Sequence, residues 1–334
     1  MLERILLSAA LIGTVVADES PSEVVYRSMN PCRQGGCLAA VFDKGYFFQM
    51  KDYVGAPPDG YSLWDREGKL VYQLDIIAPD GTPGHLRQDA AVDTDGSAIV
   101  PISYGGYGGK GHVKGGGIVL VNPAGKQTQF IDTELWLPAH ACFALDHSIW
   151  VAGTQFDSKG DHALRQDYQL IRKYSRDGKL MGEFLPRSLF PSGLPPTESG
   201  RIQAASNRIG VLLHPGMVSN EPEWVELDLN GKLMGRWKLG PSSTGDPDAH
   251  REIYSLGQLA FTADARLFAQ PHDAASKKYQ MKIFDRSTSS WQSTNAVAIP
   301  PARAYLVGAD GNKLAFESRS DSVQIFWVPL TSEH

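Results

Sequence analysis

The chain has 334 residues, 42% of them hydrophobic and 21% charged, with a formal net charge of −5. That balance is ordinary for a globular protein. It excludes a general nucleic-acid binder, which needs a basic footprint. The 34 glycines and 21 prolines are spread along the chain, as many short strands joined by turns would require.

The N-terminus carries a short apolar run from Ile5 to Val16, then the small-residue ending Val15-Val16-Ala17 before Asp18-Glu19-Ser20-Pro21. This reads as an export signal over residues 1–17, leaving a single domain over 18–334. The run is too short to span a bilayer well, and no other segment is long and apolar enough. A protein without an integral membrane segment, exported to the periplasm or the cell exterior, is expected. Cys32 and Cys37, in "CRQGGC", could close a small disulfide loop in such an oxidising compartment. Cys142, within the apolar "ACFAL", reads as a buried free thiol.

Laid against itself, the chain alternates two kinds of segment. One kind is apolar on both sides of a tight turn: "LAAVFDKGYFFQM" (38–50), "AAVDTDGSAIVPI" (90–102), "CFALDHSIWVAG" (142–153), "AASNRIGVLLH" (204–214), "LAFTADARLFAQ" (259–270) and "YLVGADGNKLAFE" (305–317). These are hairpin signals. The other kind alternates apolar and polar residues, as in "YQLIRKYSRDGKLMGEFL" (168–185) and "WVELDLNGKLMGRWKL" (224–239). Period-2 alternation gives each strand one buried and one wetter face. The turn glycines of the second kind, Gly68, Gly125, Gly178 and Gly231, recur at near-constant spacing.

One hairpin of each kind makes a four-stranded antiparallel unit, and the chain holds six. The expected fold is all-β: a six-bladed β-propeller with the apolar hairpin of each blade innermost. The last unit supplies only three strands, ending in "VQIFWVP" (323–329). Residues 22–28, "SEVVYRS", are expected to complete it. Such a closure leaves no long exposed edge to pair with another chain, so a monomer is expected.

The hairpins "AAVDTDGSAIV" and "YLVGADGNKLAF" resemble the inner hairpins of six-bladed propellers of the NHL and TolB-like kind. The resemblance lies in the repeat pattern over most of the chain, and no catalytic motif accompanies it. It implies a fold that hosts lactonases, lyases and protein-binding domains, so it leaves function open.

The stretch "YGGYGGKGHVKGGG" (104–117) links the two hairpins of the second blade. Its glycine spacing superficially matches a dinucleotide fingerprint, but the strand-like "GIVLVN" follows it where a helix is required. It reads as an exposed connection or as a flap carrying Tyr104, Lys110 and His112 over the channel mouth. Counting back from the inner turns places Arg87, His140 and Arg201 at the end of the channel where the chain begins each innermost strand. Arginine suits carboxylate or phosphate, so an anionic small molecule or an acidic protein segment is the expected partner.

Two metal readings are also open. His140, His214 and His272 come from three blades and could hold zinc with one open position. Six-bladed amidating lyases use such a histidine-bound zinc, although their motif cannot be matched here. A calcium site would draw on Asp89, Asp157, Asp161, Asp246 and Asp248. The expected function is therefore ligand binding at one channel mouth, with a metal-dependent hydrolase or lyase as the alternative.

Overall fold

The computed structural model describes residues 22–26, 40–50, 60–86, 89–105, 115–156, 167–190, 201–213, 222–239, 259–273, 278–295, 297, 304–311, 313–319 and 323–331. Apart from one short 3-10 turn at Arg187–Leu189, the regular structure of these residues is β.

Six antiparallel sheets follow one another along the chain. Strand β1 is Ser22–Tyr26. Blade I holds β2 (Ala40–Asp43), β3 (Tyr46–Met50), β4 (Tyr61–Trp64) and β5 (Leu70–Leu74). Blade II begins with two fragments, β6 (His85–Leu86) and β7 (Ala91–Val92), both paired with β8 (Ala98–Tyr104). It continues through β9 (Gly115–Val121) and β10 (Gln127–Glu134). Blade III holds β11 (Trp136–Phe143), β12 (Ile149–Gln155), β13 (Gln169–Tyr174) and β14 (Leu180–Pro186). Blade IV holds β15 (Arg201–Ala204), β16 (Arg208–Leu213), β17 (Glu223–Asp228) and β18 (Leu233–Lys238). Blade V holds β19 (Leu259–Phe261) and β20 (Leu267–Ala269), then a small ribbon of β21 (His272–Asp273) and β22 (Lys278–Tyr279). Its outer strands are β23 (Lys282–Asp285) and β24 (Ser290–Ser293). Blade VI holds β25 (Tyr305–Asp310), β26 (Lys313–Arg319) and β27 (Val323–Pro329).

The innermost strands touch in the cyclic order β2, β7, β11, β15, β19, β25 and back to β2. This is a closed six-bladed β-propeller. As expected from the three-strand deficit, β1 pairs antiparallel with β27, from Ser22 opposite Trp327 to Tyr26 opposite Val323. Of the expected closing segment 22–28, residues 22–26 form β1, and 27–28 lie outside the described residues.

Burial follows the two kinds of hairpin. Every residue of β11 and nearly every residue of its hairpin partner β12 is buried, whereas the outermost strands β18 and β24 lie largely in solvent. Trp136, Trp150 and Trp224 are fully buried, and the largest apolar cluster runs continuously from Ala91 in blade II to Val225 in blade IV. Blades therefore adhere by apolar faces, the main stabilising contribution available to such a fold.

Among the described residues, one turn recurs seven times. From Asp65, Asp93, Asn122, Ala144, Ser175, Asp228 and Thr262, the N–H donates to the carbonyl four residues on. The fourth residue is left-handed in each: Gly68, Gly96, Gly125, His147, Gly178, Gly231 and Ala265. This is the three-residue hairpin loop, a type I turn closed by a left-handed residue. Asp65, Asn122 and Asp228 reinforce it, each side-chain oxygen accepting N–H bonds from residues two and four further on.

Arginines following the first residue of outer turns join blades. Arg66 of blade I pairs with Asp310 of blade VI, and Arg176 of blade III with Asp95 of blade II. Arg286 of blade V donates through Nε to Glu226 of blade IV at 2.8 Å.

Candidate functional site

The inner turns fix which residues share a layer of the channel. Blades II, III and IV open these turns at Asp93, Ala144 and Ala205, whose N–H groups donate to the carbonyls of Ser97, Ser148 and Arg208. Four residues earlier stand Asp89, His140 and Arg201. The layer mate of His140 and Arg201 is therefore Asp89, two residues beyond the Arg87 that counting back from the inner turns predicts. The offset has a simple cause. Asp146 of blade III matches Asp95, not Asp93: each accepts the N–H of the serine two residues on, Ser148 at 3.0 Å and Ser97 at 2.9 Å.

His140 is buried, and its Nδ1 lies 2.7 Å from Asp89 Oδ2. The Asp89 N–H also donates to Ala139 O at 3.2 Å. Burial alone would raise the Asp89 carboxyl, but the charge and hydrogen bond of His140, helped by Arg201, hold it below the ordinary carboxylate range. Arg201 reaches across the channel, donating to Val307 O at 3.0 Å and Leu259 O at 3.3 Å.

A second group lies nearer the turns. Asp43 and Lys44 end the inner strand of blade I and begin its two-residue turn, with φ +46° at Lys44 and +85° at Gly45. Asp43 Oδ2 accepts the Val92 N–H at 3.1 Å. Lys44 Nζ donates to Phe143 O at 3.0 Å and Val92 O at 3.5 Å, and lies 3.8 Å from Asp43 Oδ1. Burial raises the Asp43 carboxyl despite the lowering effects of Lys44, the Val92 N–H and Arg201. Burial also pushes up the thiol of Cys142, which makes it a poor nucleophile.

These contacts have one physical origin. An innermost strand has no neighbour on its channel side, so its unpaired carbonyl and N–H groups face the lumen. Side chains of the channel satisfy part of that edge.

The groups surround a cavity of about 280 Å³ on the channel axis, lined from all six blades. Asp43, Lys44, Asp89, Arg201 and Asp310 supply charge, while Phe143 and Phe261 supply apolar surface. The cavity extends from the Asp89–Arg201 layer to the inner turns, where Thr94, Leu145, Ser206 and Gly311 line it. About a quarter of each Asp side chain remains accessible, 25% for Asp43 and 28% for Asp89. The cavity thus offers a carboxyl with raised pKa, a carboxylate with lowered pKa and two cations in one partly open space.

Other expected site residues lie elsewhere. The Tyr104 ring packs edge-on to Phe130, and its hydroxyl donates to Asp132 at 3.4 Å, on the flank of blade II and not among the cavity-lining residues. Arg87, Lys110, His112 and His214 lie outside the described residues, as do Asp157, Asp161, Asp246, Asp248, Cys32 and Cys37. His272 begins the ribbon of β21 and β22; its side chain is likewise outside the description. Among the described residues, no group of three or more His, Cys, Asp or Glu is placed to hold a metal ion. Asp43 and Lys44 escaped the sequence reading. Their one signal was a charged pair, "DKG", at the end of an otherwise apolar inner strand.

The fold and the axial cavity define a six-bladed β-propeller with a charged central channel. No family model matches the chain, and no curated protein matches it. Solved structures do resemble it. A candidate exported protein from Bacteroides fragilis superposes with a TM-score of 0.50 at 9% identity, over 94% of this chain and 95% of that one. A protein of unknown function from Dyadobacter fermentans gives 0.49 at 10% identity, over 92% and 98%. A gluconolactonase from Xanthomonas campestris gives 0.45 at 12%, over 81% and 79%. At such identities the likeness concerns the fold alone.

Proposed function

We propose that this protein is a non-catalytic binding propeller that holds a small anionic molecule in its channel, with the acidic group of the ligand against Arg201. One observation carries the reading: Arg201 lines an axial cavity to which all six blades contribute. A cavity of about 280 Å³ lies just below the usual range for ligand pockets, which favours a small molecule over an acidic protein segment. Arg201 offers a planar fork of donors suited to a carboxylate, and the surrounding protein limits solvent screening. Arg87, Lys110 and His112 are proposed to contribute from the end where the chain begins each innermost strand.

The protein is further proposed to be exported after loss of residues 1–17, to act as a monomer, and to belong with binding members of the NHL- and TolB-like propellers.

Calorimetric titration against a panel of small carboxylates and sugar acids tests the reading. One molecule should bind per chain. Arg201→Gln, shown folded by circular dichroism, should bind roughly ten- to hundred-fold more weakly, the loss of a hydrogen bond to a charged group. Equal affinity in a folded Arg201→Gln variant, or no binding by any acid, would overturn it.

A further inference from the structure

We propose that the ligand of this cavity is a zwitterion, a small molecule carrying an ammonium group as well as a carboxylate, with Asp43 as the counter-charge for the ammonium. The inference rests on the binding reading above and narrows its ligand class.

Five charged side chains line the cavity, and their signs are mixed: Asp43, Lys44, Asp89, Arg201 and, at the turn end, Asp310, which Arg66 already neutralises. A simple anion seated against Arg201 would lie among the carboxylates of Asp43 and Asp89, where water only partly screens the repulsion of like charges. A simple cation would face Arg201 and Lys44. A molecule with both charges can meet both sets.

The two carboxylates are not equivalent. Asp89 is tied to His140 at 2.7 Å, a close charge-assisted pair. Asp43 has Lys44 only at 3.8 Å through Oδ1, beyond hydrogen-bond distance, while Oδ2 holds the Val92 N–H. Lys44 spends its closest contact on Phe143 O at 3.0 Å. Asp43 therefore retains acceptor capacity toward the lumen, to which a quarter of its side chain is open. Burial raises its pKa, so ionised Asp43 stands to gain from a cation brought beside it.

The test uses the full mature protein and three probes of one skeleton: 4-aminobutyrate, butyrate and butylamine, with glycine and β-alanine to vary the separation of charges. At least one of the three zwitterions should bind about ten-fold or more tightly than the monocarboxylate or the amine. Asp43→Asn, which keeps an oxygen for the Val92 N–H, should bring zwitterion and monocarboxylate to equal affinity without abolishing either. If butyrate binds as tightly as every zwitterion, the zwitterion inference fails and the anion reading stands. If neither class binds, the zwitterion inference fails, and the acid panel above decides the anion reading. If zwitterions bind preferentially but Asp43→Asn preserves the preference, Asp43 is not the counter-charge and the assignment is overturned.

Discussion

Lys44 and Arg201 divide the ring between them. Lys44 of blade I donates to carbonyls of blades II and III, and Arg201 of blade IV donates to carbonyls of blades V and VI. Each cation ties three consecutive innermost strands from inside the channel, and together they touch all six. The same two side chains line the candidate ligand cavity, so structural and binding roles fall on one pair of residues.

Replacing either cation with methionine should therefore destabilise the protein. Each change leaves two channel carbonyls without a charged donor, and hydrogen bonds to charged groups contribute about 1.5–3 kcal/mol. Partial access to water in the channel places the expected loss toward the lower figure. Urea denaturation of Lys44→Met and Arg201→Met measures it; an unchanged midpoint in both would refute the clamp.

Asp43 and Asp89 should respond to pH with opposite sign. The folded pKa of Asp89 lies below its ordinary 3.8, so its stabilising contribution is complete above that pH and is lost as pH falls through the folded value. The folded pKa of Asp43 lies above 3.8. Its favourable contribution is present below that pH and is lost as pH rises through the folded value. At pH 7, Asp89→Asn should lower the melting temperature and Asp43→Asn should raise it by about 1–3 °C. Near pH 3 both differences should shrink. Melting curves across this range check the opposite signs and their convergence at low pH, and a loss of stability at pH 7 in both variants would contradict them.

The inter-blade arginines should differ in importance according to burial. Glu226 is completely buried and accepts from Arg208, Arg286 and Trp224 Nε1. Arg286→Ala removes one of two cations from a buried carboxylate, a change of the kind that costs about 3–5 kcal/mol when no partner is left and less here, where Arg208 remains. The Arg66–Asp310 pair is much more exposed, and Arg66→Ala should cost under about 1 kcal/mol. Equal losses in the two variants would refute the ranking.

Deleting residues 22–26 should open the ring. Strand β27 would lose its outer partner, exposing an edge able to pair with a second chain. Light scattering should show dimers or larger species, and the melting temperature should fall. A monomer of undiminished stability would mean that β1 contributes nothing to closure.

Gly210→Ala should be destabilising for a reason of space. A Cβ there would lie 2.0 Å from Cζ2 of the fully buried Trp224. Moving that ring would also disturb its bond to Glu226, and overpacking of this kind costs about 1–3 kcal/mol. Chemical denaturation reads the loss directly.

The repeat was legible because propeller strands bury or expose their side chains with a fixed local period. The apolar hairpins marked the inner strands, the "VQIFWVP" run became β27 at 323–329, and a missing strand pointed to β1. Turn chemistry was equally local: Asp65, Asn122 and Asp228 bond only within their own loops. Sequence alone therefore determined fold, blade number and closure, and identified His140 and Arg201 as channel candidates.

What remained depended on neighbours far away in the chain. The layer of Asp89, His140 and Arg201 follows from hydrogen bonds that define each turn, and a similar-looking Asp146 concealed the register. Lys44 meets Phe143 and Arg201 meets Val307 only because six innermost strands close on one axis. Their carbonyl partners carry no side-chain signal at all. Tertiary structure alone decided how those charges are spent, because an unpaired strand edge inside a ring must find its donors across the channel.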